Sequence, residues 1–299
     1  MNEITWEVPV AVDLFFAGVG AGSFCLAAIA ARKNGPGWEA CSRMSSLLAP
    51  LAVVIGLCML ILDLRNKTRF WVTLRVLNID SPMSIGVWLL SSFFLVSLLF
   101  AVCELPRSTR QRIPWIGTLS VWDRREWKNA LGIIGILLAL GVAVYTGVLL
   151  LVSIIPLWRN LSLPILFFLS AMCTGFAGGS LLTMLSTRKR NPDAMKAPIR
   201  YIKRSYRVIL PFYLFAALAF VISLSLSSAS RTEAIHLITG WSGLIWWAGV
   251  IALGIIAPLI LVMRRGEIRF NQCWFLFGCV LISGFLLRIV LVLAGQRAL

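Results

Sequence analysis

Apolar residues run in long stretches along this chain, and polar residues gather in short clusters between them. Eight stretches stand out, near residues 10–31, 44–62, 83–103, 130–155, 164–185, 208–227, 242–263 and 272–294. A helix rising ~1.5 Å per residue needs ~20 residues to cross a ~30 Å hydrocarbon layer, which is about the length of each stretch. Inside lipid every backbone N–H and C=O must be satisfied within the segment, and this selects helix. A membrane β-barrel would show alternating strands of ~10 residues instead. The pattern predicts an all-α integral membrane fold of eight transmembrane helices, forming a single membrane domain over residues 1–299.

Composition reinforces this expectation. Hydrophobic residues make up 59% of the sequence and charged ones 13%, with a mean hydropathy of +0.89. A soluble protein so poor in polar residues could not cover its own surface. The flank before the first stretch carries Glu3 and Glu7 and no Lys or Arg. A secretory signal needs a basic flank there, so the first stretch reads as a retained helix.

Charge then orients the bundle. The loops after helices one, three, five and seven hold 20 of the 28 Lys and Arg, and the remaining loops and termini hold 7. Basic loops stay cytoplasmic, so both termini are expected on the extracytoplasmic side. The net charge of +16 is then a topology signal, not a nucleic-acid surface, because the cations sit in short loops between spans.

The halves of the sequence echo each other. Ala17-Gly18-Val19-Gly20-Ala21-Gly22-Ser23 parallels Thr174-Gly175-Phe176-Ala177-Gly178-Gly179-Ser180, and each is followed at the same offset by a basic pair, Arg32-Lys33 and Lys189-Arg190. Four helices per unit is even, so a repeat would be parallel, with 1–158 and 159–299 as two four-helix bundles. Gly18/Gly22 and Gly175/Gly179 are GxxxG pairs, which serve close helix packing. No strand precedes them, so a nucleotide loop is not expected.

Candidate chemistry is sparse and therefore informative. The seven cysteines show no clustered ligand spacing and read as small apolar residues. His236 is the only histidine, too few for a haem held by two imidazoles, so neither haem nor metal is expected in this chain. Ionisable groups within spans are costly and default to function. The topology puts Asp13, Asp63, Tyr145, Arg288 and His236 toward the extracytoplasmic face, while Glu104 ends helix three on the cytoplasmic side. Asp63 also suits a helix end paired with Arg65 or Arg69, and Arg288 suits either outward snorkelling or an ion pair with Asp13 or Asp63. Trp115, Trp122 and Trp127 suit an interfacial segment between helices three and four.

Several segments resemble the NrfD/polysulfide reductase membrane-subunit family. They are Trp6-Glu7-Val8-Pro9 with Leu14-Phe15-Phe16-Ala17-Gly18-Val19-Gly20-Ala21-Gly22, Asp63-Leu64-Arg65 with Arg69-Phe70-Trp71, and Ser81-Pro82-Met83-Ser84-Ile85-Gly86-Val87-Trp88. Tyr145-Thr146-Gly147-Val148-Leu149-Leu150 followed by Pro156-Leu157-Trp158, and the tail around Leu287-Arg288, complete the set over all eight spans. The resemblance implies a haem-free subunit of a bacterial inner-membrane respiratory complex that oxidises or reduces menaquinone or ubiquinone near the extracytoplasmic face. It also implies a docked iron–sulfur, ferredoxin-like partner and a molybdopterin or multihaem cytochrome catalytic subunit. Tyr145 inherits a quinone contact, and Asp13 stands where relatives carry His or Tyr. Asp13 and Tyr145 are then the expected catalytic pair. Asp63, Arg288 and His236 are further quinone-binding candidates, and Glu104 is a candidate for a proton path. An ion or proton transporter and a purely structural anchor fit the same bare pattern of helices and carboxylates.

Overall fold

The computed structural model describes residues 8–63, 81–110, 125–153, 155–187, 192–226, 231–266 and 269–296. Among these residues eight helices are long and apolar enough to cross a membrane. They are α1 (Val8–Ala30), α2 (Pro36–Asp63), α3 (Pro82–Glu104), α4 (Arg125–Leu151), α5 (Ser162–Thr187), α6 (Lys196–Leu226), α7 (Gly240–Met263) and α8 (Phe270–Gln296). Short helices at Arg107–Arg110 and Arg231–Ile238 and a 3-10 turn at Pro192–Met195 lie between them. Among the described residues there is no strand.

The helices match the eight apolar stretches, but α2 and α6 begin well before their hydrophobic runs. Hydropathy measures the thickness of lipid to be crossed, whereas a helix continues wherever its backbone bonds continue. The opposite mismatch occurs after α4, which ends at Leu151. Ile155, Leu157 and Trp158 are apolar because they are buried against the protein. The Trp158 indole N–H donates to the Leu291 carbonyl at 2.8 Å, and Gly295 leaves room for its ring. The Pro156-Leu157-Trp158 motif thus ties the α4–α5 link to α8.

α1 and α5 are the central pair, with 83% and 72% of their apolar windows buried, against 28–39% for α2, α3, α4, α6 and α7. They cross backbone to backbone at their glycines. A Cβ on Gly22 would strike the Ala171 carbonyl and the Gly175 Cα, and one on Gly175 would strike the Gly22 backbone. Small residues permit such approach where lipid provides no hydrophobic drive between helices. Around this pair, α1 and α3 each pack on α2 and α4, and α5 and α7 each pack on α6 and α8. Two rings of four helices result. They meet along α1–α5, α4–α5, α2–α5 and α1–α8. The second helix of each ring carries an interior proline, Pro50 in α2 and Pro211 in α6.

One irregularity lies in α7, where Ile245–Ile256 forms a π-helix. It packs against α8, and Gly254 makes room for Ser283, whose hydroxyl donates to the Val250 carbonyl at 3.3 Å. At the opposite end of the bundle the α1–α2 link is anchored to α6. The Lys33 ammonium lies 3.6 Å from the Tyr201 ring centroid and 4.4 Å from that of Trp38, and its partial burial there lowers its pKa.

Candidate functional site

Four helices alternate in direction around the first ring. One end of that ring therefore gathers the starts of α1 and α3 and the ends of α2 and α4. A cavity of about 370 Å³ opens there, walled by all four helices. Asp13 and Ala17 come from α1, Val53 and Leu57 from α2, Gly86 and Phe94 from α3, and Val142 and Tyr145 from α4. Val54, Met83 and Leu95 also line it and are 39%, 55% and 59% exposed on the outer surface of α2 and α3. The cavity therefore reaches the lipid-facing surface between those helices. Nearly all its lining is apolar, and volumes of this order suit a small ligand.

Its polar atoms are few and specific. Asp13 Oδ1 is buried and has no hydrogen-bond partner among the described residues. It lies against Gly56 of α2, where an added Cβ would come within 2.7 Å of that oxygen. Tyr145 is half-buried, and its hydroxyl donates to the Pro82 carbonyl at 3.0 Å. Gly86, one turn into α3, is the reason the phenol fits, because a Cβ there would overlap its ring and hydroxyl. Thr146 also lines the cavity, but its hydroxyl donates to the Ala143 carbonyl of its own helix at 2.9 Å. Asp13 and Tyr145 are thus brought together, as the sequence suggests. The glycines that seat them are a contribution that hydropathy and motif spacing do not single out.

The other expected residues fall elsewhere. Arg288 is fully buried but lies behind α1, not in the cavity. It donates to the Leu14 carbonyl at 3.0 Å, the Ser170 hydroxyl at 2.9 Å and the Gly284 carbonyl at 2.8 Å. Its Nη2 rests against Gly18 with no partner among the described residues. The guanidinium lies 5.2 Å from the Phe167 ring centroid and 5.7 Å from that of Phe15. The expected ion pair with Asp13 is not formed. Asp13 and Gly18 are five positions apart, so at 100° per residue they face different sides of α1.

Asp63 is the last residue of α2, at the same end of the ring as the cavity. Its side chain, and Arg65 and Arg69 with which it could pair, lie outside the described residues, as do Lys189, Arg190, Trp115 and Trp122. His236 belongs to the short helix Arg231–Ile238, which packs on α6, α7 and α8 of the second ring. Its side chain is outside the described set. Glu104 sits at the far end of α3, about 33 Å of helix from Pro82 at 1.5 Å per residue. It is held in an ion pair with Lys128 of α4 at 2.6 Å. Trp127, in the first turn of α4, is 49% exposed at that same end. Six of the seven cysteines are buried, and Cys58 is exposed on α2. Among the described residues no three His, Cys, Asp or Glu side chains converge on a point.

Comparison with known proteins bears on this arrangement. The family model for polysulphide reductase, NrfD, matches residues 1–299. The protein is similar to the C chain of polysulfide reductase from Wolinella succinogenes, with 30% identity covering 100% of this sequence and 92% of that one. It is also similar to protein NrfD of Escherichia coli, at 27% over 99% and 96% of the two sequences. A more distant likeness, 22% identity over 99% of this sequence and 72% of the other, is to the Hdr-like menaquinol oxidoreductase integral membrane subunit of Archaeoglobus fulgidus. With eight helices able to span a bilayer and a family match from end to end, this multi-pass membrane protein belongs to the NrfD/polysulphide reductase family.

Proposed function

We propose that the Asp13–Tyr145 cavity binds a membrane quinol and that the protein is the quinol-oxidising membrane subunit of a reductase complex. The observation that carries this reading is the pairing of two oxygen acceptors in an apolar cavity open to lipid. An ionised Asp13 only accepts hydrogen bonds, and its Oδ1 is buried with no donor among the described residues. The Tyr145 hydrogen is committed to the Pro82 carbonyl, which leaves the oxygen of this cavity-lining residue as an acceptor too. A hydroxyl-bearing ring suits such a pair better than one that offers only carbonyls. An unsatisfied buried carboxylate oxygen costs several kcal/mol unless something donates to it (~2–7 kcal/mol even for a neutral polar group).

A quinol bound there supplies two electrons and two protons. The protein's part is positional and protolytic. The apolar walls from Val53, Phe94 and Val142 take up the ring and exclude water. Asp13 accepts a hydrogen bond and takes the two protons in turn as the ring is oxidised, releasing each toward the extracytoplasmic surface. Tyr145 orients the second contact, held by Pro82 and seated by Gly86. Arg288 holds the turn of α1 behind Asp13 through the Leu14 carbonyl, and does not touch the ring.

The sidedness of Lys and Arg supports an extracytoplasmic location for this end of the bundle. On that reading the electrons pass to an iron–sulfur, ferredoxin-like subunit docked there, with a molybdopterin or multihaem cytochrome subunit beyond. The names of the relatives, a polysulfide reductase subunit and a menaquinol oxidoreductase subunit, agree with menaquinol as the donor and a reductase as the acceptor. Residues 1–158 and 159–299 are read as two parallel repeats. The matched ring packing, the paired glycine crossing and the two interior prolines favour that division.

The test is quinol-dependent reduction of the partner subunit in membranes carrying Asp13→Asn or Tyr145→Phe. Both substitutions should slow it and weaken binding of a quinol analogue. If analogue binding and turnover are unchanged in both, the cavity is not the quinol site.

A further inference from the structure

At the end of the bundle opposite the Asp13 cavity, α6 begins with its most basic stretch. A second cavity, of about 350 Å³, lies there with Lys196, Arg200, Lys203, Arg204 and Arg207 in its walls. Among the described residues no carboxylate lines it. Two of these cations are fixed by the end of α7. Lys203 donates to the Arg264 carbonyl at 2.9 Å and the Gly266 carbonyl at 2.7 Å, and Arg207 Nε donates to the Val262 carbonyl at 2.8 Å. The last carbonyls of a helix lack intrahelical donors and carry partial negative charge. Val262 offers Arg207 such a carbonyl, and the two carbonyls just past the helix end hold Lys203 in place although it is only 7% exposed. The cavity thus has a cationic side whose Lys203 and Arg207 are fixed in place by carbonyls at the end of α7.

The same side of α6 continues into the membrane. From Arg200 and Arg204, steps of three and four residues lead to Val208, Phe212 and Phe215, which are 57%, 62% and 71% exposed. The neighbouring α7 adds Ile256, Ile260 and Met263, at 40%, 54% and 61%. A cationic cavity at the helix end therefore runs on into an exposed apolar stripe. A free phosphate would use the first part only.

We propose that this is a binding site for an anionic diacyl phospholipid. Its phosphodiester sits among Arg200, Lys203, Arg204 and Arg207, and its acyl chains lie along Val208, Phe212 and Phe215. Basic clusters just beyond a span attract anionic headgroups, and guanidinium forks suit phosphate oxygens. The bound lipid bridges α6 to the α7–α8 turn. The site stands apart from the quinol cavity and does not rest on that reading.

Native mass spectrometry of the full-length protein, extracted with whatever subunits it retains, tests this. The probes are phosphatidylglycerol, phosphatidylcholine and inorganic phosphate, and the proteins are wild type, Arg200→Gln/Arg204→Gln and Arg159→Gln. Arg159 is an exposed cation at the other end of the bundle, so its variant controls for net charge. The wild type should retain phosphatidylglycerol over phosphatidylcholine. At ~1 kcal/mol per basic side chain, the double variant should lose that preference by roughly 30-fold, and Arg159→Gln should keep it. Equal retention of the two lipids by the wild type would overturn the proposal. So would an unchanged preference in the double variant, or millimolar phosphate displacing the lipid completely. Thermal melting of the same variants separates a lost site from a lost fold.

Discussion

In the ring α1–α4 the space between Val53, Phe94 and Val142 is open. In the ring α5–α8 large side chains occupy the interior. Trp246, Phe220, Tyr206 and Phe277 are essentially unexposed there. Phe220 meets Trp246 at 5.9 Å between centroids, and Tyr206 meets Phe277 at 6.4 Å. Both rings join their helices in the same order, so connectivity does not explain the difference. Side-chain volume does. At the cavity end Ala17, Gly56 and Gly86 leave room in the first ring where Phe220 and Trp246 fill the second. Toward the other end both rings are packed, by Phe24, Phe93 and Phe100 in the first and by Tyr206 and Phe277 in the second. Asp13 in the first ring and Arg288 in the second are ionisable groups at membrane depth with different surroundings. Arg288 has three acceptors within 3.0 Å, whereas Asp13 Oδ1 has no donor among the described residues. A buried group gripped by several fixed partners braces structure, and an unpartnered carboxyl oxygen beside a cavity is open to a ligand.

This contrast can be broken at several points. The largest effect is expected at the crossing both rings share. Gly22→Leu would drive a side chain into the Ala171 carbonyl, and backbone cannot give way as a flexible side chain can. No folded protein should be recovered, as judged by detergent-extracted yield and size-exclusion profile. Next comes Asp13→Asn in the open ring. Positioned acid–base groups contribute ~10²–10⁴-fold, so quinol-dependent turnover should fall by at least ~100-fold while the melting temperature holds or rises.

Phe220→Ala probes the filled ring and should do the reverse. Removing a buried ring costs ~3–5 kcal/mol, which a melting curve would register, while affinity for a quinol analogue should stay within about twofold of wild type, far less than the tenfold of a ~1.4 kcal/mol change. Filling the open ring by Val142→Phe is expected to weaken analogue binding by about tenfold, a loss of ~1.4 kcal/mol, with little change in stability. If Val142→Phe destabilised the protein as overpacking does (~1–3 kcal/mol) and left analogue affinity alone, the first ring would be a packed core and the comparison would fail. The smallest effect is expected for Cys58→Ser on the lipid-facing surface of α2, with stability and turnover both close to wild type.

The sequence was most legible where one physical constraint dominates. Lipid thickness and backbone hydrogen bonding demand long apolar helices, so all eight spans were readable to within a few residues at most of their ends. The exceptions have local causes. α2 and α6 extend past the lipid through polar residues, and the residues after Leu151 are apolar for packing against α8. The π-helix in α7 leaves no mark in hydropathy, because Ile245–Ile256 is equally apolar in either helical form. Of the candidate site residues, Asp13 and Tyr145 were legible because an ionisable group or phenol within a span is rare. Depth along a helix was legible too, and it put Arg288 at the level of Asp13. The azimuth of each helix was not, and it turned Arg288 away from the cavity and onto Leu14, Ser170 and Gly284.

The protein's own residues therefore determined the solvent, the number of spans, their alternation and the depth of each polar group, because these follow from length, hydropathy and charge along one dimension. Which helices are central, which ring stays open and which glycine seats which side chain were decided only in the packed bundle. Gly56 against Asp13 and Gly86 against Tyr145 are contacts between residues 43 and 59 positions apart in the sequence. No local pattern encodes such a pair. It arises because helices in lipid settle wherever their surfaces approach most closely, and a missing Cβ matters only once something has come near enough to need the space.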